Sequence, residues 1–316
     1  MGRIRNPRRG TIQFWPRKRA KRIYARVRYW RQSNEVKPLG FAGYKTGMTH
    51  IMLVDNGKNS PTKGEVISHA VTIVECPPIK VAGIRVYRNK KAVTDILAQN
   101  LDKEAGRKLN IPKNKKESDL DNFEKATDVR LIVQTQPKLT TIGKKKPEIF
   151  EIALGGGVAD KIKFAKDILG KELNIKDVFK EGNHVDIHAI TKGKGFQGPV
   201  KRFGVMLRQH KAEKTKRGPA SLGPWHPHHG NFSVPHAGQM GYHQRLEHNK
   251  WILKIVEPSE VNGKAGFGRY GVVKNSALLV KGSVAGAAKR IVRLTQPIRP
   301  NRRIPEEAPS IQFIAK

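Results

Sequence analysis

EVISHAVTIVE, Glu65 to Glu75, and IKVAGIRVY, Ile79 to Tyr87, stand on either side of Pro77-Pro78. Both runs are rich in Val and Ile, and both predict β-strands. Upstream, GFAGYKTGMTHIMLVDNGK, Gly40 to Lys58, opens with spaced glycines, becomes strand-like from Thr49 to Val54 and ends on the turn signal Asp55-Asn56-Gly57. Downstream, HVDIHAIT, His184 to Thr191, alternates cleanly and places His188 on a polar face, and WILKIVE, Trp251 to Glu257, is a further strand. Tyr270 to Val273 and Ala277 to Val280 read as a closing hairpin, and Arg290 to Leu294 as a last strand. Short strands joined by turns, without helices between them, predict a mainly β fold built on a small antiparallel barrel or sandwich.

The stretch from residue 95 to 182 differs in composition. It holds 15 of the 26 acids and 18 of the 62 cations, a net of +3, which leaves +33 for the other 228 residues. Helical patterns at Lys91 to Leu101 and Val158 to Leu169, with strand patterns at Val129 to Gln134 and Ile149 to Ala153, predict an α/β insertion. Its low net charge makes it the part least suited to face a polyanion. LGGGVADKIKFAKDIL, Leu154 to Leu169, resembles a phosphate-binding loop but lacks the GK[ST] ending that places a lysine and a metal-binding hydroxyl. A plain strand-to-helix turn explains it better.

Sixty-two Lys and Arg against 26 acids give a formal charge of +36 in 316 residues. That excess points to a nucleic acid. A membrane partner is disfavoured, because no apolar run is long enough to span a bilayer and no Lys-rich helix has a clean apolar face. The N-terminus has no apolar signal segment, and the single Cys76 excludes a disulfide framework, so a reducing cytoplasm is expected.

Two segments carry the excess charge without the pattern of a core. From Met1 to Asn34 there are 12 cations and no acid, among them Arg3, Arg5, Arg8, Arg9, Arg17, Lys18 and Arg19, interleaved with Phe14, Trp15, Tyr24, Tyr29 and Trp30. Cations neutralise phosphates and rings stack on bases, so this reads as a binding arm in preference to a solvated tail. The second segment, Thr191 to Lys250, has 11 cations, two acids, nine glycines and seven of the 11 histidines. At its mouth lies TKGKGFQGPVKRFG, where Lys192, Lys194, Lys201 and Arg202 surround Phe196, Gln197 and three glycines. That motif is either a glycine-rich turn or a surface facing RNA. Its middle is LGPWHPHHG, where stiffening prolines flank Trp225 and argue for an exposed tip over a ring in a local core. Both segments are expected to take shape only against a polyanion. Strands on either side of residues 191 and 251 would join the ends of the second segment, making it a finger anchored at its base.

His226, His228, His229, His236, His243 and His248 offer the best opening for an enzyme, a histidine-dependent RNA nuclease or metal hydrolase. The usual zinc spacings, paired carboxylates and nucleophile elbow are all missing, and imidazoles in so basic a loop are better suited to bases, ribose and phosphate. Cys76, inside a Val and Ile strand, reads as a small buried hydrophobe.

GFAGYKTGMTH (Gly40 to His50), HAITKGKGFQGPVKRFG (His188 to Gly204), PWHPHH (Pro224 to His229) and AGQMGYHQR (Ala237 to Arg245) together resemble the universal L-three family of large-subunit ribosomal proteins, in its longer archaeal and eukaryotic form. The resemblance runs in order from residue 1 to about 295. It implies a translation-protein-type β-barrel with basic N-terminal and central extensions that enter ribosomal RNA, and no catalysis or cofactor. Expected divisions are an arm (1–38), a first barrel part (39–94), the α/β insertion (95–182), a barrel strand (183–190), the RNA-penetrating finger (191–250), a second barrel part (251–296) and an extended tail (297–316). The family's central extension reaches toward the peptidyl transferase centre, which would make Trp225 the fingertip and place His226 beside it. The basic flank would run from Lys211 to Arg217 with Lys214, Lys216 and Arg217, and His228, His229, His243 and Arg245 complete the expected RNA-binding set. Gln197 matches a position methylated in bacterial members. Lys216 stands where eukaryotic members tend to carry histidine, so that histidine's role does not transfer. Ribosomal RNA and neighbouring large-subunit proteins are the implied partners, with support of early subunit assembly as the role and no homo-oligomer.

Overall fold

The computed structural model describes residues 9–111, 126–212, 214–219, 221–226, 228–301, 305 and 307–316. Arg3, Arg5 and Arg8 lie outside the described residues. The chain falls into two compact units, a larger one of 23–189 with 245–316 and a smaller one of 1–22 with 190–244.

The larger unit contains β1 (Gly40–Val54), β2 (Val66–Glu75), β8 (His184–Ile190), β11 (Gln244–Val256), β12 (Ala277–Lys281) and β13 (Ile291–Thr295). They run in the order β13-β8-β11-β12-β2-β1, and β1 returns to β13, so the sheet closes into a six-stranded barrel. Closure depends on the first half of β1, where Gly40 to Tyr44 pair with Thr295 to Ile291 while Tyr44 onward pairs with β2. The glycines expected to interrupt this stretch instead lie inside one continuous strand. A Cβ on Gly43 would come within 2.6 to 2.8 Å of Val74, the Glu75 carbonyl and Cys76. Glycine is needed where closure drives the backbones together, and no turn results.

The strand Ile79–Arg88 (β3), assigned to the barrel from sequence, belongs to a second sheet. It pairs with β4 (Lys91–Leu97), β5 (Asp128–Gln134) and β7 (Glu172–Leu173), and β6 (Ile149–Ala153) completes the order β4-β3-β5-β6. The helix expected at Lys91 to Leu101 is therefore a strand through Leu97. Asn89 and Lys90 both have positive φ, 49° and 65°, and that two-residue turn folds the chain back on β3 and overrides the local helical spacing. The predicted second helix forms as α1 (Val158–Ile168) and buries Ala165. Ion pairs cross this unit's surface, among them Lys161 to Asp128 at 2.8 Å and Arg85 to Glu151 at 2.5 Å.

Three buried polar groups lock the larger unit, and sequence pattern identified none of them. His188, expected on a polar face, is buried because β8 is covered on both sides. Its Nε2 lies 3.2 Å from the Thr295 hydroxyl, and burial, reinforced by Arg293, pushes its pKa down to about 4. Arg293 donates to the carbonyls of Ala25 at 3.1 Å and Glu151 at 2.5 Å, and lies 4.3 Å from the Phe150 ring. Burial lowers its pKa to about 10. Glu75 accepts bonds from the Tyr270 hydroxyl, the amides of Lys274 and Asn275, and the Asn275 side chain. The expected strand at Tyr270 to Val273 is absent, because the Asn262 side chain both donates to and accepts from Val273 in place of a partner strand. Tyr24, Ala25 and Val27, within the span read as the arm, are buried in this unit. The tail expected to be merely extended contributes β14 (Ile311–Ile314), which pairs with the far end of β1.

On β8, Asp186 is fully buried and accepts from the Asn249 amide of β11 at 2.8 Å, the Ile298 amide at 3.1 Å and His248 Nδ1 at 2.9 Å. β8 and β11 are sheet neighbours, so the chain leaves the barrel at Ile190 and returns beside its point of departure.

Candidate nucleic-acid interface

The smaller unit takes 18 cations and one acid, Glu213, from its 77 residues. A segment so charged has few carboxylates to satisfy its arginines and must use carbonyl oxygens and aromatic faces instead. Its base is an irregular antiparallel pair. The Thr191 amide donates to the His243 carbonyl at 3.0 Å, Tyr242 to Lys192 at 3.2 Å and Lys194 to Met240 at 2.9 Å. β9 (Phe196–Gln197) then pairs with β10 (Gly238–Gln239). Gly241, at φ +72°, passes so close to the Lys192 carbonyl that a Cβ would sit 2.0 Å from it. A short helix, α2 (Pro199–Phe203), follows the glycine-rich mouth.

Residues 9–22 of the arm lie along this base. The Gly10 amide donates to the Phe203 carbonyl at 3.3 Å and the Ala20 amide to Tyr242 at 2.8 Å, while His243 Nδ1 is 2.9 Å from the Lys18 carbonyl. The Arg17 guanidinium stacks 4.0 Å from the Phe203 ring and donates to the Arg202 carbonyl. Arg202 itself donates to Gln239 at 3.0 Å and His236 at 2.8 Å, and Arg19 lies 5.2 Å from the Tyr242 ring. Partial burial lowers the pKa of both Arg17 and Arg202. Residues 9–22 pack on the finger base through arginines that find carbonyls and rings.

The remaining expected residues divide by exposure. Arg9, Trp15, Lys18, Arg19, Lys192, Lys194, Phe196, Lys201, Lys214, Lys216 and Arg217 are exposed, as are Trp225, His226, His228 and His229. Gln197 is half-buried and donates to the Lys194 carbonyl at 2.7 Å. His243 is buried at the base, and Arg245 is half-buried at the start of β11 in the larger unit. At the tip the Asn231 amide donates to the Leu222 carbonyl at 3.0 Å, and the His228 amide to Trp225 at 2.9 Å. His228 takes a left-handed backbone, which sets its ring 4.5 Å from Trp225 and 5.2 Å from His226, both edge-on. Trp225 remains 76% exposed. Phe232, Met206 and Leu207 are also exposed and were not singled out from sequence, where nothing separates an apolar residue of a loop from one of a core.

The arrangement presents cations and exposed rings on a hydrogen-bonded backbone, which is chemistry for phosphates and exposed bases. Among the described residues, no group of three or more His, Cys, Asp and Glu is placed to hold a metal ion, and no helix is long and apolar enough to cross a membrane.

The family described as Ribosomal protein L3 matches residues 1–315. The chain is 46% identical to the large ribosomal subunit protein uL3 of Methanobrevibacter smithii, covering 100% of this chain and 98% of that one. It is 50% identical to the uL3 protein of Methanococcus aeolicus, over 95% and 93% of the two chains. With that of Methanococcus vannielii it shares 48%, over 95% and 94%. Full-length agreement at this level, on a barrel from which a basic finger departs, assigns the chain to the ribosomal protein L3 family.

Proposed function

We propose that this protein is a structural constituent of the large ribosomal subunit that binds ribosomal RNA, supports early subunit assembly and reaches with Trp225 toward the peptidyl transferase centre. The reading rests above all on the smaller unit, whose 77 residues include 18 cations and a single acid and whose base is joined by the protein's own hydrogen bonds. Arg17 and Arg202 hold that base together, while Lys192, Lys194, Lys201, Lys214, Lys216 and Arg217 stay exposed to neutralise phosphates. Trp15, Phe196 and Trp225 supply faces for unpaired bases, and the histidines of the tip supply shorter polar reach. Cations placed between RNA helices lower the repulsion that opposes their packing, which is the physical content of an assembly role.

Site-directed crosslinking from Lys194, Lys201 and Trp225 in assembled large subunits tests the reading. RNA products at all three positions are expected, with the Trp225 product mapping near the site of peptide-bond formation. Exclusive protein products at Lys194 and Lys201 would overturn it.

A further inference from the structure

The tripeptide Asn-Gly-Lys occurs twice in the chain, beginning at Asn56 and at Asn262. Asparagine before glycine is chemically labile, because no Cβ keeps the glycine nitrogen away from the asparagine carboxamide. The glycine nitrogen gives up its proton and attacks Cγ, the Cγ–Nδ2 bond breaks, and ammonia leaves with that proton. Water then opens the cyclic succinimide at either carbonyl to give aspartate or isoaspartate, and nothing is oxidised or reduced. The reaction needs a carboxamide free to turn toward the glycine nitrogen. Local sequence is the same at both places, so the fold decides which of them can react.

Asn262 follows a short helix, α3 (Pro258–Val261), and both ends of its carboxamide are held by Val273. Nδ2 donates to the Val273 carbonyl at 2.7 Å and Oδ1 accepts from its amide at 2.9 Å. Val273 is buried, so turning Asn262 toward Gly263 would strip two backbone groups of their partners inside the fold. Asn56 lies in the loop between β1 and β2. Among the described residues its carboxamide has one bond, an exposed one from Nδ2 to the Glu307 carbonyl at 3.1 Å. Glu307 belongs to the C-terminal tail, which β14 fastens to β1, with the Val54 amide donating to Ser310 at 3.0 Å and the Thr49 hydroxyl to Ala315 at 2.8 Å. The Gly57 amide donates to Asp55 Oδ1 at 2.9 Å. Hydrogen bonds from the Ser60 hydroxyl, the Gly57 amide and the Thr62 hydroxyl hold the Asp55 pKa down to about 2, so this carboxylate retains the Gly57 proton without being basic enough to remove it.

We propose that Asn56 is a site of spontaneous deamidation whose rate is set by the C-terminal tail, while the identical tripeptide at Asn262 is protected by the fold. A chain end held by an exposed contact opens more readily than the fold interior, and each opening frees the Asn56 carboxamide. The product places a new carboxylate beside Asp55, and isoaspartate also lengthens the backbone just beyond the point where Val54 pairs with Val66. Release of the tail is thereby recorded as a covalent change in the β1–β2 loop.

Peptide mapping of the full chain aged in mildly alkaline buffer tests this, with aspartate and isoaspartate counted at residues 56 and 262. In the folded protein residue 56 is expected to convert about 10-fold faster than residue 262, and in denaturant the two rates should agree within about 2-fold. Deleting residues 307–316 should speed conversion at residue 56 about 5-fold and leave residue 262 the slower of the two. Thr49→Val, which keeps the whole tail but removes one of its bonds to β1, should speed residue 56 about 3-fold. Conversion of residue 262 as fast as residue 56 in the folded chain would overturn the proposal. So would equal acceleration of both residues by the deletion, or an unchanged rate at residue 56 in Thr49→Val.

Discussion

Trp225 and His188 are put to opposite uses, one exposed on a loop and the other buried in a strand. Trp225 is 76% exposed, with the His228 ring edge-on at 4.5 Å. Trp225→Ala therefore removes little buried surface, and a stability change within about 1 kcal/mol is expected by denaturant titration. Peptidyl transfer or tRNA accommodation on assembled ribosomes should weaken; loss of folding would show that the ring is part of a core. His188 is the reverse case, a histidine kept neutral inside the barrel with its pKa pushed down to about 4. The unfolded chain binds a proton near pH 6.5 while the folded chain resists it, so the contribution is complete above that pH and is lost as pH falls toward 4. Stability should drop by up to about 3 kcal/mol across this window. His188→Gln should flatten that acid limb in chemical denaturation measured at several pH values.

Residues 9–22 of the arm and the finger base belong to one unit. Arg17 holds them, stacked on the Phe203 ring and bonded to the Arg202 carbonyl. A partly exposed cation–π contact with a charge-assisted hydrogen bond contributes about 1 to 2 kcal/mol. Arg17→Ala should raise amide exchange of Gly10 and Ala20 about 10-fold in the RNA-free protein. Exchange in β2 and β12 should not change. If Gly10 and Ala20 already exchange at the unfolded rate in the parent, the packed arm is refuted. Their donors are paired with Phe203 and Tyr242, which makes them the natural reporters.

At the scale of the whole molecule, charge is concentrated rather than spread. Cations outnumber acids by 17 in the smaller unit, nearly half of the chain's +36 in 77 of 316 residues. Binding to a ribosomal RNA fragment should therefore weaken by about 10³-fold or more between 50 and 200 mM salt. Replacing Lys192, Lys194 and Lys201 with Gln should reduce the slope of log affinity against log salt by about 2 to 3, as read by filter binding. An unchanged slope would remove those three lysines from the phosphate contacts.

Most strands, helix α1, the mainly β class and the concentration of cations between two strands were legible from the chain alone, because alternation and charge density are local properties that water imposes on each segment separately. Which sheet a strand joins is not local. Ile79–Arg88 has the composition of a barrel strand, yet it pairs with β4 and β5, and Lys91–Leu97 follows it as a strand because of the turn at Asn89 and Lys90. Nor does the sequence distinguish an arginine meant for phosphate from one that closes the fold. Arg17, Arg202 and Arg293 look like their neighbours until carbonyls and rings from distant segments surround them. By itself the sequence determined that this is a mainly β protein with a densely cationic segment between two strands, while closure of the sheet into a barrel is seen only in the structure. Only the tertiary structure decided which cations are spent inside the protein and which remain for a partner, since a guanidinium's use depends on acceptors brought together by the fold.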